Sequence, residues 1–168
     1  MKEYFFTYPS AKMRVREIER VLKIPLPSVI RYCKELEKES ILARGSIGSV
    51  NFYVANRTNE TYLLEKKLYN IKTMYDSGLI ERIKRELSNP AIVLFGSYAR
   101  GEDTEESDID VCIETPSKKS VQLETFERVL KRKIQVFVQK NLCELSNPHL
   151  ANNIINGIIL NGYVEVFK

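Results

Sequence analysis

Two short stretches hold residues whose types and spacing could do chemistry. Positions 91–101 read AIVLFGSYARG, and positions 107–113 read SDIDVCI. Ala91–Phe95 is an unbroken apolar run, the pattern of a strand buried on both faces. It ends in Gly96-Ser97, where a glycine lets backbone approach a ligand closely. Free N–H groups at a helix start, which Tyr98-Ala99-Arg100 predicts, attract phosphate. Eleven residues after Ser97 comes Asp108, and Asp110 follows it into a second apolar run. Residues i and i+2 of a strand share a face, so both carboxylates project together while Ile109 points into the core. Their Cα atoms would lie roughly 6.5–7 Å apart, a spacing from which side chains can converge on metal ions ~3.5–4 Å apart. Two such carboxylates repel each other unless a cation stands between them. A small-residue turn opposite an Asp-x-Asp pair is therefore a coherent site for a metal-bound triphosphate.

Competing chemistries fail on the residues present. Gly96-x4-Gly101 has the glycine spacing of a P-loop, but Glu102-Asp103 stand where Lys and Ser/Thr would be required. G-x-G-x-x-G is absent. The single histidine, His149, sits beside Pro148 with no partner motif, which argues against a catalytic triad. Three cysteines, at 33, 112 and 143, form no C-x-x-C pair and no even disulfide set, so reduced thiols and no zinc centre are expected.

These motifs need elements to position them. The chain has 168 residues, 43% of them hydrophobic and 29% charged, enough for one domain or two small ones and incompatible with a largely disordered chain. No signal-peptide pattern or membrane-length apolar run is present, so a soluble cytoplasmic protein is expected. The net charge of +4 is unevenly spread. Residues 1–57 carry eleven Lys/Arg against six Asp/Glu, whereas 58–168 carry fifteen against sixteen. Any nucleic-acid contact is therefore expected in the first third.

In that third, Val15, Ile18 and Leu22 predict a short amphipathic helix. KIPLPS breaks it, and a second helix over about Pro27–Lys38 carries Val29, Cys33 and Leu36 on one face. Runs at Ile41–Arg44 and Val50–Val54 separated by GSIGS predict a β-hairpin. Residues 57–62 read as a linker. Leu64, Leu68, Ile71 and Tyr75 then predict a four-turn helix with that stripe in the core, followed by a helix over Leu79–Leu87 that Asn89-Pro90 stops. KIQVFV at Lys133–Val138 predicts a strand, and 149–167 a helix ending around Gly157–Gly162 and then a terminal strand, Tyr163–Phe167.

Residues 1–57 resemble the winged helix-turn-helix domains of prokaryotic transcription regulators. That resemblance implies DNA contacts by Ser28, Arg31, Tyr32 and Lys34 on the second helix, with Arg44 and the Ser46–Ser49 tip as the wing. Against it, Glu35, Glu37 and Glu39 share the exposed face, and phosphates repel them.

GSYARG followed by SDID is similar to the signature of the nucleotidyltransferase superfamily that includes DNA polymerase β, most closely its minimal prokaryotic members. The resemblance implies that Gly96 and Ser97 hold a nucleoside triphosphate such as ATP, that Arg100 helps position phosphate, and that Asp108 and Asp110 bind Mg2+. The implied fold class is α+β: an N-terminal winged helix (1–57), connecting helices (58–90) and a nucleotidyltransferase domain with a mixed sheet flanked by helices (91–168).

Transferases of this family add a third carboxylate from a later strand, and here Gln135 occupies that place. No Asp or Glu lies between Glu127 and Glu144, and Glu114 is the remaining acidic group on the Asp108/Asp110 face. Glutamine is neutral and a poor ligand for Mg2+. Two functions stay open. One is transfer of a nucleoside monophosphate, AMP from ATP, to a protein or RNA hydroxyl, with the basic residues Lys118, Lys119 and 131–133 available to attract a polyanionic acceptor. The other is a catalytically impaired DNA-binding regulator, or an antitoxin-like protein that binds a HEPN-type partner as minimal nucleotidyltransferases do in toxin–antitoxin pairs. A homodimer is compatible with either, and a membrane partner is not expected.

Overall fold

The computed structural model describes residues 1–142 and 145–165, so Cys143 and the end of the expected terminal strand lie outside the described residues. The chain divides into two compact units, Met1–Tyr69 and Asn70–Lys168.

The first unit runs α1 (Lys2–Thr7), β1 (Lys12–Met13), α2 (Val15–Leu22), α3 (Leu26–Lys38), β2 (Leu42–Ile47), β3 (Val50–Ala55) and the first part of α4 (Glu60–Asp76). Helix α2 starts where the Arg14 N–H donates to Glu17 Oε2 at 2.7 Å, and it ends on left-handed Lys23. Helix α3 buries Val29, Cys33 and Leu36, the face that its periodicity predicts. β2 and β3 pair in the antiparallel sheet order β1-β3-β2. Their turn is tighter than the five-residue loop expected. Ile47 still pairs with Val50, leaving only Gly48-Ser49 at the tip, because Gly48 takes a φ of +60° and allows a two-residue hairpin. Helix α1 has no counterpart in the sequence reading, yet Phe5 and Phe6 anchor it in the core.

Helix α4 begins at Glu60, inside the stretch read as a linker, and Tyr62 is fully buried. Of the stripe assigned to the core, Ile71 packs against it, but the other three residues point outward. Leu64 is 57%, Leu68 55% and Tyr75 46% exposed, while Tyr62, Lys66, Asn70 and Met74 are buried. Hydropathy selected the wrong face because the inward polar groups are bonded. The Tyr62 hydroxyl donates to the Phe5 carbonyl, and the Asn70 amide donates to two acceptors described below.

The second unit continues through α5 (Leu79–Glu86), β4 (Ala91–Phe95), α6 (Gly96–Arg100), β5 (Ile109–Glu114), α7 (Glu124–Leu130), β6 (Ile134–Gln139), α8 (Pro148–Ile155) and β7 (Ile158–Asn161). Its four strands form a mixed sheet in the order β6-β5-β4-β7, with β5 and β6 parallel and the other pairs antiparallel. One face packs Ile92, Leu94, Ile109, Val111 and Ile113 against Met74, Ile80, Ile83 and Leu130. The other face packs Val93, Phe95 and Cys112 against Ile154 and Phe137. β4 is thus covered on both sides, as its continuous apolar run implies. The final strand lies earlier than expected. The chain leaves α8 at Gly157, where a Cβ would come within 2.6 Å of the Leu94 carbonyl oxygen. It then pairs at once along the free edge of β4, and Tyr163 is 72% exposed rather than part of a strand. His149 belongs to the first turn of α8, and its N–H donates to the capping Asn147 side chain.

Cys33 and Cys112 are free, and burial pushes their thiols up to about 11 and about 12, respectively. Among the described residues no helix is long and apolar enough to cross a membrane.

Candidate active site

Phe95 ends β4 in extended conformation, and Gly96 turns the chain at a φ of +74° into the short helix α6. Gly101, also left-handed, closes that helix by donating its N–H to the Ser97 and Tyr98 carbonyls. Tyr98 and Ala99 are buried, so α6 is held by its own apolar side while Ser97 is half-buried and Arg100 is exposed.

Asp110 enters from the neighbouring strand. It pairs with Phe95, the residue just before the turn. A Cβ on Gly96 would stand 2.2 Å from Asp110 Oδ2. The carboxylate therefore rests directly on the turn, and the missing side chain at 96 makes room for it. Asp108 lies one residue before β5 and is exposed, while the intervening Ile109 is fully buried. Burial pushes the Asp110 carboxyl above its ordinary range, the Asp108 charge pushes it further, and the Arg100 guanidinium pulls the other way. Gly96, Arg100, Asp108 and Asp110 thus form one cluster, with Ser97 the next residue of the turn. Arg100 Nε also sits 2.7 Å from Glu102 Oε2, which holds the guanidinium at the mouth of the cluster.

Gln135 stands directly beside Asp110 in the parallel β5–β6 register. Paired residues of adjacent strands share a sheet face, so its amide faces the same space as the carboxylate. Glu114 does not replace it. That residue pairs with Ala91 at the opposite end of the sheet, four rungs or roughly 13 Å from Asp110, and its carboxylate accepts the Leu142 N–H at 3.0 Å. Among the described residues no group of three or more His, Cys, Asp or Glu side chains is arranged to hold a metal. The Asp108/Asp110 pair is nevertheless a hard-oxygen donor set that suits Mg2+, and a cation there would reverse the repulsion that raises Asp110.

Sequence reasoning missed the polar groups beneath the turn. Asn70 Nδ2 donates to the Tyr98 carbonyl and to Asp103 Oδ1, both at 2.8 Å, and Asp103 is 1% exposed. The only available signal was an acidic residue inside the charged run EDTEES, which reads as solvated surface. Glu127 was also missed. Its carboxylate accepts from the Ile134 N–H and from Lys133 Nζ and so fixes the start of β6, and those hydrogen bonds draw its pKa down.

In the first unit, Arg31, Lys34 and Arg44 are exposed and Ser28 and Tyr32 are half-buried. Arg31 lies 3.7 Å from Glu35 and 4.9 Å from the centre of the Tyr32 ring.

A sheet with a glycine turn at the end of one strand and paired aspartates on the next defines the class of protein to which the second unit conforms, the nucleotidyltransferases. The family profile of the nucleotidyltransferase domain matches residues 77–159, which span the turn, both aspartates and β6. A protein of Methanocaldococcus jannaschii, provisionally named a protein adenylyltransferase, is 34% identical over 84 residues. The match covers 46% of this chain and 81% of that relative. The chain belongs to the nucleotidyltransferase family. Members of the family generally use Mg2+ and a nucleoside triphosphate.

Proposed function

We propose that this protein transfers a nucleoside monophosphate, AMP from ATP, to a hydroxyl on a protein or RNA. The observation that carries this reading is the Asp110 carboxylate seated on the Gly96 turn, with Asp108 and Arg100 close enough to shift its titration. The relative that is provisionally named a protein adenylyltransferase supports the choice of AMP.

In this reading the Gly96-Ser97 turn receives the β- and γ-phosphates, and bare backbone at 96 lets them approach closely. Arg100, at the mouth, neutralises phosphate charge and orients the chain of phosphates. Asp108 and Asp110 would hold Mg2+, which, when bound, polarises phosphoryl oxygens and neutralises developing charge. The acceptor oxygen attacks the α-phosphorus in line. A new O–P bond forms, the bond to the bridging oxygen breaks, and pyrophosphate leaves. The acceptor's proton passes to water, because Gln135 cannot take it. Incubation with labelled ATP and cell extract should label an acceptor, and Asp108→Ala with Asp110→Ala should abolish the label. Equal labelling by the double variant sinks the assignment.

A second reading rests on Gln135 beside Asp110. With a neutral amide in the third position, the domain binds nucleotide without turnover, as a sensor or as an antitoxin-like partner for a HEPN-type protein. Residues 1–57 serve in either case as a winged helix on DNA, with Ser28, Arg31, Tyr32, Lys34 and Arg44 as the contact set. The exposed cations of α3 and β2 and the tight Gly48-Ser49 tip support that role. Salt-dependent binding to duplex DNA, lost in Arg31→Ala with Lys34→Ala, tests it. No binding at low salt refutes it.

A further inference from the structure

One buried charged pair in the second unit has no part in the chemistry just described. Asp103 is 1% exposed, and its Oδ2 lies 3.5 Å from Arg132 Nη2, whose side chain is 3% exposed. Taking two charges out of water is costly, so such a pair persists only where its geometry is fixed by further bonds. Here those bonds lead in two directions. Asp103 Oδ1 accepts from Asn70 Nδ2, which also donates to the carbonyl of Tyr98 on α6. Tyr98 is further tied through its hydroxyl to Thr73 Oγ1, 3.1 Å away. On the other side, Arg132 Nη1 donates to the Lys131 carbonyl at 2.9 Å. The next residue, Lys133, accepts the Ile109 N–H through its own carbonyl at 2.8 Å, between the two aspartates.

We propose that Asp103 and Arg132 are positioning residues: the buried pair is a strut that sets the spacing between the Gly96-Ser97 turn and the Asp108/Asp110 carboxylates. This rests on the reading of those groups as a triphosphate–Mg2+ site. The turn is moored at one end of the strut through Asn70, and the carboxylate strand at the other through the Lys133 carbonyl. Either half can bind its own part of the ligand alone. Only the correct spacing lets phosphate and carboxylates share one Mg2+, so the strut governs how much Mg2+ improves ATP binding.

Calorimetric titration of the full chain with ATP, with and without Mg2+, tests this. Wild type should bind ATP more tightly with Mg2+. Asp103→Asn keeps an oxygen toward Asn70 and removes the charge, and Arg132→Met keeps the stem and removes the charge. Each should cut the Mg2+-dependent gain by about tenfold while leaving Mg2+-free ATP affinity within about twofold. Arg132→Lys should recover most of the gain, because it restores a cation facing Asp103. A purely structural role would lower both affinities together, and Met would serve as well as Lys. Circular dichroism identifies which variants are folded at the titration temperature. If Arg132→Met is unfolded, Asp103→Asn carries the test alone. A folded Asp103→Asn with an unchanged Mg2+ gain overturns the proposal. Wild type that binds no ATP under either condition overturns the underlying site reading instead.

Discussion

Restoring a carboxylate at position 135 tests how the site is built. In Gln135→Asp, the new group stands one strand spacing, roughly 4.8 Å, from Asp110 on the same sheet face. At about 5 Å two carboxylates repel by about 0.8 kcal/mol in bulk water and about 3 kcal/mol at an effective dielectric of 20. Residue 135 is exposed, which favours the lower end of that interval. Without metal the variant should lose about 1 kcal/mol, a fall in Tm on the order of 3 °C for a chain of this size. With Mg2+ the order reverses, because three carboxylates hold a hard cation better than two. Saturating Mg2+ should then raise the Tm of Gln135→Asp by more than it raises that of wild type. If the chain transfers AMP, a general base at 135 should speed labelling by about 10²–10⁴-fold. Thermal melts across a Mg2+ series and acceptor labelling with ATP read both effects. A variant whose Tm is unchanged without metal and responds to Mg2+ no more than wild type refutes the placement of Gln135 beside the pair.

Other outcomes follow from the same geometry. Gly96→Ala forces a Cβ onto Asp110 Oδ2 at a positive φ, so it should cost about 2–4 kcal/mol by melting and weaken Mg-ATP binding, as measured by calorimetry. Asp110→Asn removes a group whose folded pKa is raised. Stability is lost as the pH rises from the ordinary Asp value through the raised folded one, and the loss is complete above it, so the metal-free variant should melt higher than wild type at pH 7. The difference should vanish below the ordinary Asp pKa of 3.8, where both forms are neutral, and melts at pH 3 and pH 7 check it. On α4, Met74→Ala should cost about 2–5 kcal/mol because Met74 is fully buried, whereas Leu68→Ser, at an exposed site, should stay within about 0.5 kcal/mol.

What could be read from the chain depended on whether local pattern and tertiary packing agreed. Ala91–Phe95 announces itself because burial on both faces demands a continuous apolar run. The Gly-Ser turn and Asp-x-Asp pair were visible because their chemistry constrains residue type as well as spacing. The place of Gln135 followed from the family resemblance, and the β5–β6 register sets it beside Asp110. Helix α4 shows the opposite case. Its apolar stripe at Leu64, Leu68 and Tyr75 faces solvent, because bonded polar groups at Lys66 and Asn70 occupy the inward face. Periodicity weighs hydropathy and cannot know which amides will find partners. Glu114 failed for a different reason. Alternation places it on the correct face but carries no information about distance along the strand. The Asp103–Arg132 pair was hidden because each residue sits in a run of charges that, read singly, belongs in water.

The contact between Gly96 and Asp110 has a consequence for anyone wishing to redesign this protein. Where the turn meets the acid, the surface at 96 is naked main chain, and there is no side chain there to adjust. If the proposed triphosphate site is correct, preference for one ligand over another would be tuned at Ser97, Arg100 and Gln135. A side chain at 96 can be introduced only together with a smaller residue at 110, since the Asp110 carboxylate occupies the room that Gly96 leaves free.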